Sequence, residues 1–248
     1  MSYERLAYVY DLLMADVPYK KWLDYLLLEK QRFHIDGMRV LDLACGTGEL
    51  SILLAKNGFD VTGVDLSGDM LMVAQGKAER EGIELSLYEQ NMSELEGLGI
   101  YDIAVIFCDS LNYLSTPEDV QKTFSNVHAH LKNGGLFIFD VHSPYKMEHI
   151  FMDETFAVAE EEVSYIWNCF PGEHSYSVEH ELTFFVREEQ SGKYERFEEL
   201  HKQRTYLIEE YQSWLEDVGF SVEAITADFT DQFPVESSER IFFTCKKK

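Results

Sequence analysis

Basic side chains are scarce in this chain. Its 248 residues hold 21 Lys and Arg against 45 Asp and Glu, a formal net charge of −24. Nucleic acid is held by neutralising its phosphates with Lys and Arg, so this balance argues against a polyanionic partner, and solubility is the plain reading of the charge. Long apolar runs are absent too. No stretch approaches the roughly 20 residues that cross a bilayer, so no membrane partner is expected. The opening segment MSYERLAYVYDLLMAD has no basic start followed by an apolar run and carries Glu4, Asp11 and Asp16; the expectation is a cytoplasmic chain. Cys45, Cys108, Cys169 and Cys245 form no CxxC pair, and the histidines form no HExxH. Neither a metal site nor a disulfide framework is expected, and the thiols are expected to be reduced. Core material is ample. With 46% hydrophobic and 14% aromatic residues, the chain is no disordered acidic tail, and its length suits one α/β domain with a small insertion.

The chain divides into three expected parts: an N-terminal helical cap at 1–36, a sheet-and-helix domain at 37–147 and 202–248, and an antiparallel β insertion at 148–201. In the cap, Leu6, Val9, Leu12 and Leu13 form one helical stripe, and Trp22, Leu23, Leu26 and Leu27 form another after Pro18. From Arg39 onward strands and helices alternate. Strands are expected at 39–43, 60–65, 84–90, 101–107 and 136–141, with helices at 49–57, 70–81 and 117–131. This rhythm implies a mainly parallel sheet with helices on both faces. The insertion shows strand-like alternation at 165–167, 175–181, 182–187 and 194–201, with a hairpin turn at Gln190-Ser191-Gly192-Lys193. Its residues 148–200 hold fourteen acids and three bases, nearly half of the net charge. A helix at 208–218 and strands at 222–225 and 240–246 close the α/β pattern.

The most informative segment is Val40-Leu41-Asp42-Leu43-Ala44-Cys45-Gly46-Thr47-Gly48-Glu49. It reads as a strand, a small-residue turn and a helix, a turn that lets a ligand approach backbone N–H groups. Asp65, 23 residues after Asp42, ends the next strand, where an acid can accept both hydroxyls of a ribose. A dinucleotide would favour GxGxxG, but Glu49-Leu50-Ser51 follows Gly48, so the third glycine is missing. Asp42 and Glu49 would also repel a pyrophosphate, and the nearest downstream base is Lys56. A cationic, phosphate-free cofactor suits such a loop: S-adenosylmethionine carries a sulfonium and an ammonium.

Five segments in order now carry a resemblance: VLDLACGTG, VTGVDLSGDML, LSLYEQNMSEL, YDIAVIFCDSLNYL and LKNGGLFIFDVHSP. Over roughly residues 35–145 the chain resembles the class I S-adenosylmethionine-dependent methyltransferases. The resemblance implies a Rossmann-like, mainly parallel seven-stranded sheet and an enzyme that moves a methyl group to a small-molecule acceptor by in-line displacement. It implies that Asp42, Ala44, Gly46 and Gly48 line the methionine half of the cofactor. Asp65 would hold the ribose, Leu66 and Met70 would lie beside the adenine, Asn91 and Met92 would flank the ring, and Cys108 and Asp109 would stand beside the sulfonium. A turn cap plus a core filler is the alternative reading of Asn91 and Met92. Asn stands at 91 where the family often has Asp, and it can still accept a bond through its amide oxygen. The N-terminal stretch resembles the family's entry helices, which would bring Tyr10 and Tyr19 over the cofactor carboxylate.

Ligands bind beyond the strand carboxyl ends of such sheets, so Asp109, Asn112, Tyr113 and His142 are expected near the acceptor. No general base is assigned; Asp109, His142, His149, His174 and His180 are the candidates. Two other functions remain open on the residues alone. A nicotinamide-dependent oxidoreductase would use the same kind of sheet, although the third glycine and a Tyr-x-x-x-Lys pair are missing. A catalytically silent binding protein could keep the fold as a scaffold.

Overall fold

A computed structural model describes residues 17–188 and 191–248; the stripe at Leu6 to Leu13 and the candidate Tyr10 lie outside the described residues. The chain runs through α1 (Tyr19–Arg32), β1 (Arg39–Leu43), α2 (Glu49–Lys56), β2 (Asp60–Asp65), α3 (Gly68–Glu81), β3 (Ser86–Glu89), β4 (Tyr101–Ile106), α4 (Pro117–His130) and β5 (Leu131–His142). It continues through β6 (Thr155–Ala159), β7 (Val163–Pro171), β8 (Ser177–Arg187), β9 (Tyr194–Arg204), α5 (Ile208–Val218), β10 (Phe220–Ala227) and β11 (Arg240–Lys247). Seven strands form one sheet in the order β3-β2-β1-β4-β5-β11-β10. The first five pair in parallel, and β11 runs antiparallel to both of its neighbours. The expected α/β architecture, with a separate antiparallel sheet, is present.

Local chemistry sets the element ends. Thr116 accepts the Asp119 N–H at 3.2 Å and Pro117 opens α4, a cap and a first residue that both suit a helix start. Ser67 caps α3 and Gly82 ends it in the left-handed conformation, as glycine commonly does. Two cores follow from the two faces of the sheet. On one, Trp22, Leu26, Val40, Leu54, Ile103, Ile138 and Phe242 pack beneath α1 and α2. On the other, Phe124 and Tyr211 from α4 and α5 cover Phe137, Phe139 and Phe243, with Phe139 and Phe243 stacked at 4.8 Å.

The antiparallel sheet has the order β6-β7-β8-β9. Two sequence expectations change here. The segments at 175–181 and 182–187 are a single strand, β8, whose pairing with β9 runs without interruption from Ser177↔Arg204 to Arg187↔Tyr194. A fourth strand, β6, was not expected; its five residues show only a weak alternation. At the turn between β8 and β9, the Glu188 N–H donates to Lys193 O and the Gly192 N–H to Glu188 O, each at 2.8 Å. The end of β9 is fastened to the large sheet. Asn112 Nδ2 donates to Arg204 O at 2.8 Å, and Thr205 Oγ1 donates to His142 O at 2.6 Å.

Candidate active site

The turn after β1 has the shape that the small residues require. Ala44, Gly46 and Gly48 all take positive φ, 57°, 55° and 79°. Gly48 is also where α3 comes closest: a Cβ there would lie 2.8 Å from the Ala74 Cβ. A side chain at this position would meet both a steric clash and a strained backbone. Across the crevice, Cys108 and Asp109 follow β4 with φ of 56° and 54°. Non-glycine residues held in this region cost free energy and cluster at functional sites. Here they flank the carboxyl ends of two adjacent strands.

Between these two turns lies a cleft lined by Tyr19, Asp42, Ala44, Cys45, Gly46, Thr47, Glu49, Leu50, Phe107, Cys108 and Ser110. Among the described residues, no Lys or Arg lines it. Asp42 is 2% exposed and accepts the Ser51 hydroxyl at 2.5 Å. Burial pushes its carboxyl up to about 7, with the Asp65 charge adding to the effect. A buried acid that resists ionisation in the free protein is a ready partner for an incoming cation. Glu49 differs from the sequence expectation. Its carboxylate accepts Lys77 Nζ at 2.6 Å, and Lys77 also reaches Thr47 Oγ1 at 3.1 Å. Lys56 pairs instead with Glu81 at 3.1 Å. Asp42, rather than Glu49, therefore supplies the uncompensated acid of the loop.

The other expected residues surround this cleft in different ways. Asp65 accepts the Gly46 N–H at 2.8 Å and the Ser67 N–H at 2.9 Å, one on each oxygen. The two bonds fix the carboxylate and leave each oxygen a free lone pair. Leu66 is 71% exposed at the end of β2, and Met70 is half-buried at the start of α3. Asn91 behaves as a cap: its Oδ1 accepts both the N–H and the hydroxyl of Ser93 at 3.0 Å. Met92 packs against the core.

Asp109 is the larger departure. Cys108 and Ser110 line the cleft, but the Asp109 carboxylate is committed elsewhere. Its Oδ1 accepts Arg240 Nη2 at 2.9 Å, and its Oδ2 accepts Gln203 Nε2 at 2.9 Å and faces His142 Nε2 at 3.2 Å. Burial alone would raise its carboxyl, but His142 and Arg240 hold it well below the usual carboxylate range. Arg240 also bridges to Asp140, which accepts Trp22 Nε1 at 2.8 Å and the Cys108 and Asp109 N–H groups at 2.9 and 3.1 Å. Any ligand contact at 109 thus falls to the backbone. Asn112 is 0% exposed and spans from the His142 N–H to Arg204 O, so it acts as a bracket between the two sheets.

The network continues into the second sheet. Gln203 Oε1 accepts His180 Nε2 at 3.1 Å, and His180 Nδ1 accepts Trp167 Nε1 at 3.0 Å. These partners require a neutral ring with its proton on Nε2, and burial pushes His180 down to about 4. His142 is also lowered by burial, and its Nδ1 has no hydrogen-bond partner among the described residues. The sequence did not point to Arg240, Asp140 or Gln203. Each looks like an ordinary strand residue, and only an unpaired Arg late in the chain could have raised the question. It also did not point to His201, whose Nε2 lies 2.8 Å from Glu199 Oε2 on β9. No group of three or more metal-ligating side chains occurs among the described residues.

Comparison with known proteins gives consistent results. A family profile described as a methyltransferase domain matches residues 40–135. A protein of Geobacillus sp. (strain WCH70), named as a methyltransferase, is 53% identical over 248 residues, covering 100% of both chains. A second such protein, from Bacillus subtilis (strain 168), is 47% identical over 251 residues, covering 100% of this chain and 98% of the relative. The crystal structure of an S-adenosylmethionine-dependent methyltransferase from Clostridium acetobutylicum ATCC 824 is 32% identical with a TM-score of 0.90, covering 100% of this chain and 99% of that one.

Proposed function

Because the chain belongs to the S-adenosylmethionine-dependent methyltransferases, we propose that it passes the donor's methyl group to a small-molecule acceptor held between the carboxyl ends of β4 and β5 and the second sheet. The observation that carries this reading is the cleft's charge. A buried Asp42, raised to about 7, faces a wall with no Lys or Arg among the described residues, which suits a sulfonium and an ammonium better than a pyrophosphate. The fit supports the following roles. Asp42 receives the ammonium, the turn 44–48 approaches the methionine half through its backbone, and Asp65 receives the ribose hydroxyls. Leu66 and Met70 supply apolar contact for the adenine. Asn91 can reach it only by giving up its hold on Ser93.

S-adenosylmethionine supplies an already activated methyl group. The protein's own task is orientation and exclusion of water. The parts that do this are the fixed turns after β1 and β4 and the network that fastens the second sheet above them. Residues 148–201 then act as the cover that selects the acceptor. Their surplus of acids favours a neutral or cationic small molecule over nucleic acid.

The test is a thermal-shift series with S-adenosylhomocysteine, NAD and NADP, followed by methyl-label incorporation into metabolite pools beside a tRNA control. Stabilisation by S-adenosylhomocysteine alone is expected. Asp65→Ala should lose most of that stabilisation; a full response would remove Asp65 from the ribose. Label in tRNA and in no small molecule would overturn the acceptor class.

A further inference from the structure

Glu199 and His201 sit two residues apart on β9 and so share one face of the second sheet. The pair is tight, 2.8 Å between Glu199 Oε2 and His201 Nε2, yet the two side chains keep 27% and 33% of their surface exposed. His201 stands edge-on to Tyr113, with ring centroids 5.8 Å apart. Tyr113 ends the short helical turn Ser110–Tyr113, whose first residue lines the cofactor cleft. Neither His201 Nδ1 nor the Tyr113 hydroxyl has a hydrogen-bond partner among the described residues. Asp109 is held by Arg240, Gln203 and His142, and His180, opposite His201 on β8, is held by Gln203 and Trp167. Burial and the carboxylates of Asp109 and Glu199 raise the Tyr113 phenol, so it stays a neutral hydrogen-bonding group.

We propose that Glu199 and His201 are the proton-accepting pair of the transfer, and that the acceptor is a small amine arriving as its ammonium. The proposal rests on the methyltransferase reading above. His201 Nε2–H donates to Glu199, which fixes the tautomer and leaves the Nδ1 lone pair for the substrate. The ammonium is drawn between the carboxylate and the face of Tyr113. It gives one proton to His201 Nδ1. The freed nitrogen lone pair forms the new N–C bond to the methyl carbon while the C–S bond breaks, its electron pair returning to sulfur. The methylated amine leaves as an ammonium, and His201 returns its proton to solvent. Carboxylate and thioether acceptors carry no such proton and would make no use of the pair. On the same face, the half-buried Trp167, Leu182 and Phe197 lie beside it, so the amine has an apolar or ring-shaped body.

The experiment uses the full chain, tritiated S-adenosylmethionine and a bacterial extract of compounds below ~1 kDa, with one half treated to acetylate its amines. Wild type is expected to label the untreated half only. His201→Gln and Glu199→Gln should each lower turnover about 100-fold or more and flatten the acid limb of the pH profile, with S-adenosylhomocysteine affinity unchanged. Tyr113→Leu, which removes the ring face, should raise KM more than it lowers kcat. Equal labelling of the acetylated half would overturn the amine, and unchanged turnover in both Gln variants would overturn the pair. No label in either half, with S-adenosylhomocysteine still bound, would instead overturn the small-molecule reading beneath it.

Discussion

The cofactor cleft and the wall opposite it are made by different means. The cleft is made of backbone. Its main contributors fall between Asp42 and Leu50, and their geometry follows from small residues at positive φ. The wall is made of side chains from distant parts of the chain. Gln203 reaches Asp109 across 94 residues, Arg240 reaches Asp109 across 131 and Trp22 reaches Asp140 across 118. The first arrangement keeps its shape under side-chain changes that do not alter the turn. The second fails when one partner is removed, because each buried charge depends on the others. Electrostatics sharpen the contrast. In the cleft, Asp42 has only a hydroxyl for company and its acidity is weakened by burial. In the wall, Asp109 keeps 20% of its side chain exposed and is driven the other way by His142 and Arg240.

Three substitutions separate the two regions. The largest effect is expected from Arg240→Met, which leaves Asp109 and Asp140 buried without their cation. Breaking such a group costs about 3–5 kcal/mol, read as a lower urea midpoint with the m-value unchanged. A loss below ~1 kcal/mol would show that the wall is no network.

Asp42→Asn should act in the opposite direction. With its folded carboxyl raised from 3.8 to about 7, Asp42 penalises the folded state increasingly as pH rises through that window. The penalty is roughly 4 kcal/mol at its ceiling above pH 7. The variant should therefore be more stable than wild type at pH 8 and equal to it near pH 3.5. It should lose about 100-fold or more in S-adenosylhomocysteine affinity by calorimetry. A variant that binds normally would show that the cleft's acid is structural.

The smallest effect is at the junction. Gln203→Leu leaves the His180 N–H without an acceptor and should cost about 1–3 kcal/mol. The same junction should respond to acid. His180 is neutral in the folded state, lowered from 6.5 to about 4, so its contribution is complete above pH 6.5 and is lost as pH falls toward 4. Trp167 fluorescence should report that loosening in wild type and show a weaker response in His180→Gln.

The legibility of each part follows from the same division. The turn after β1 could be found because glycine and alanine at fixed spacing, with an acid ending each of β1's and β2's neighbourhoods, leave a local trace. The central parallel strands were legible because they are buried on both faces and read as continuous apolar runs, such as Tyr101–Ile106. Strand β6 was missed because a short edge strand has little pattern to offer. Asn112 was placed near the acceptor by its position after β4, but burial turned it into a bracket. The family resemblance placed Asp109 beside the sulfonium, and Arg240 drew its carboxylate inward. Glu49 was counted as free charge until Lys77, 28 residues away, was found on it.

By itself, the sequence determined the alternation of strands and helices from β1 to β5, the position of the glycine turn after β1 and the acids at β1 and β2, because these depend on nearest-neighbour geometry and on alternation over a few residues. Tertiary structure alone decided which of those acids is buried without a cation, which histidines are locked into hydrogen bonds and which face of the second sheet carries Gln203 to Asp109. A carboxylate's state is set by the groups that burial brings within about 4 Å of it, and in this chain those groups come from strands that are adjacent only in the folded sheet.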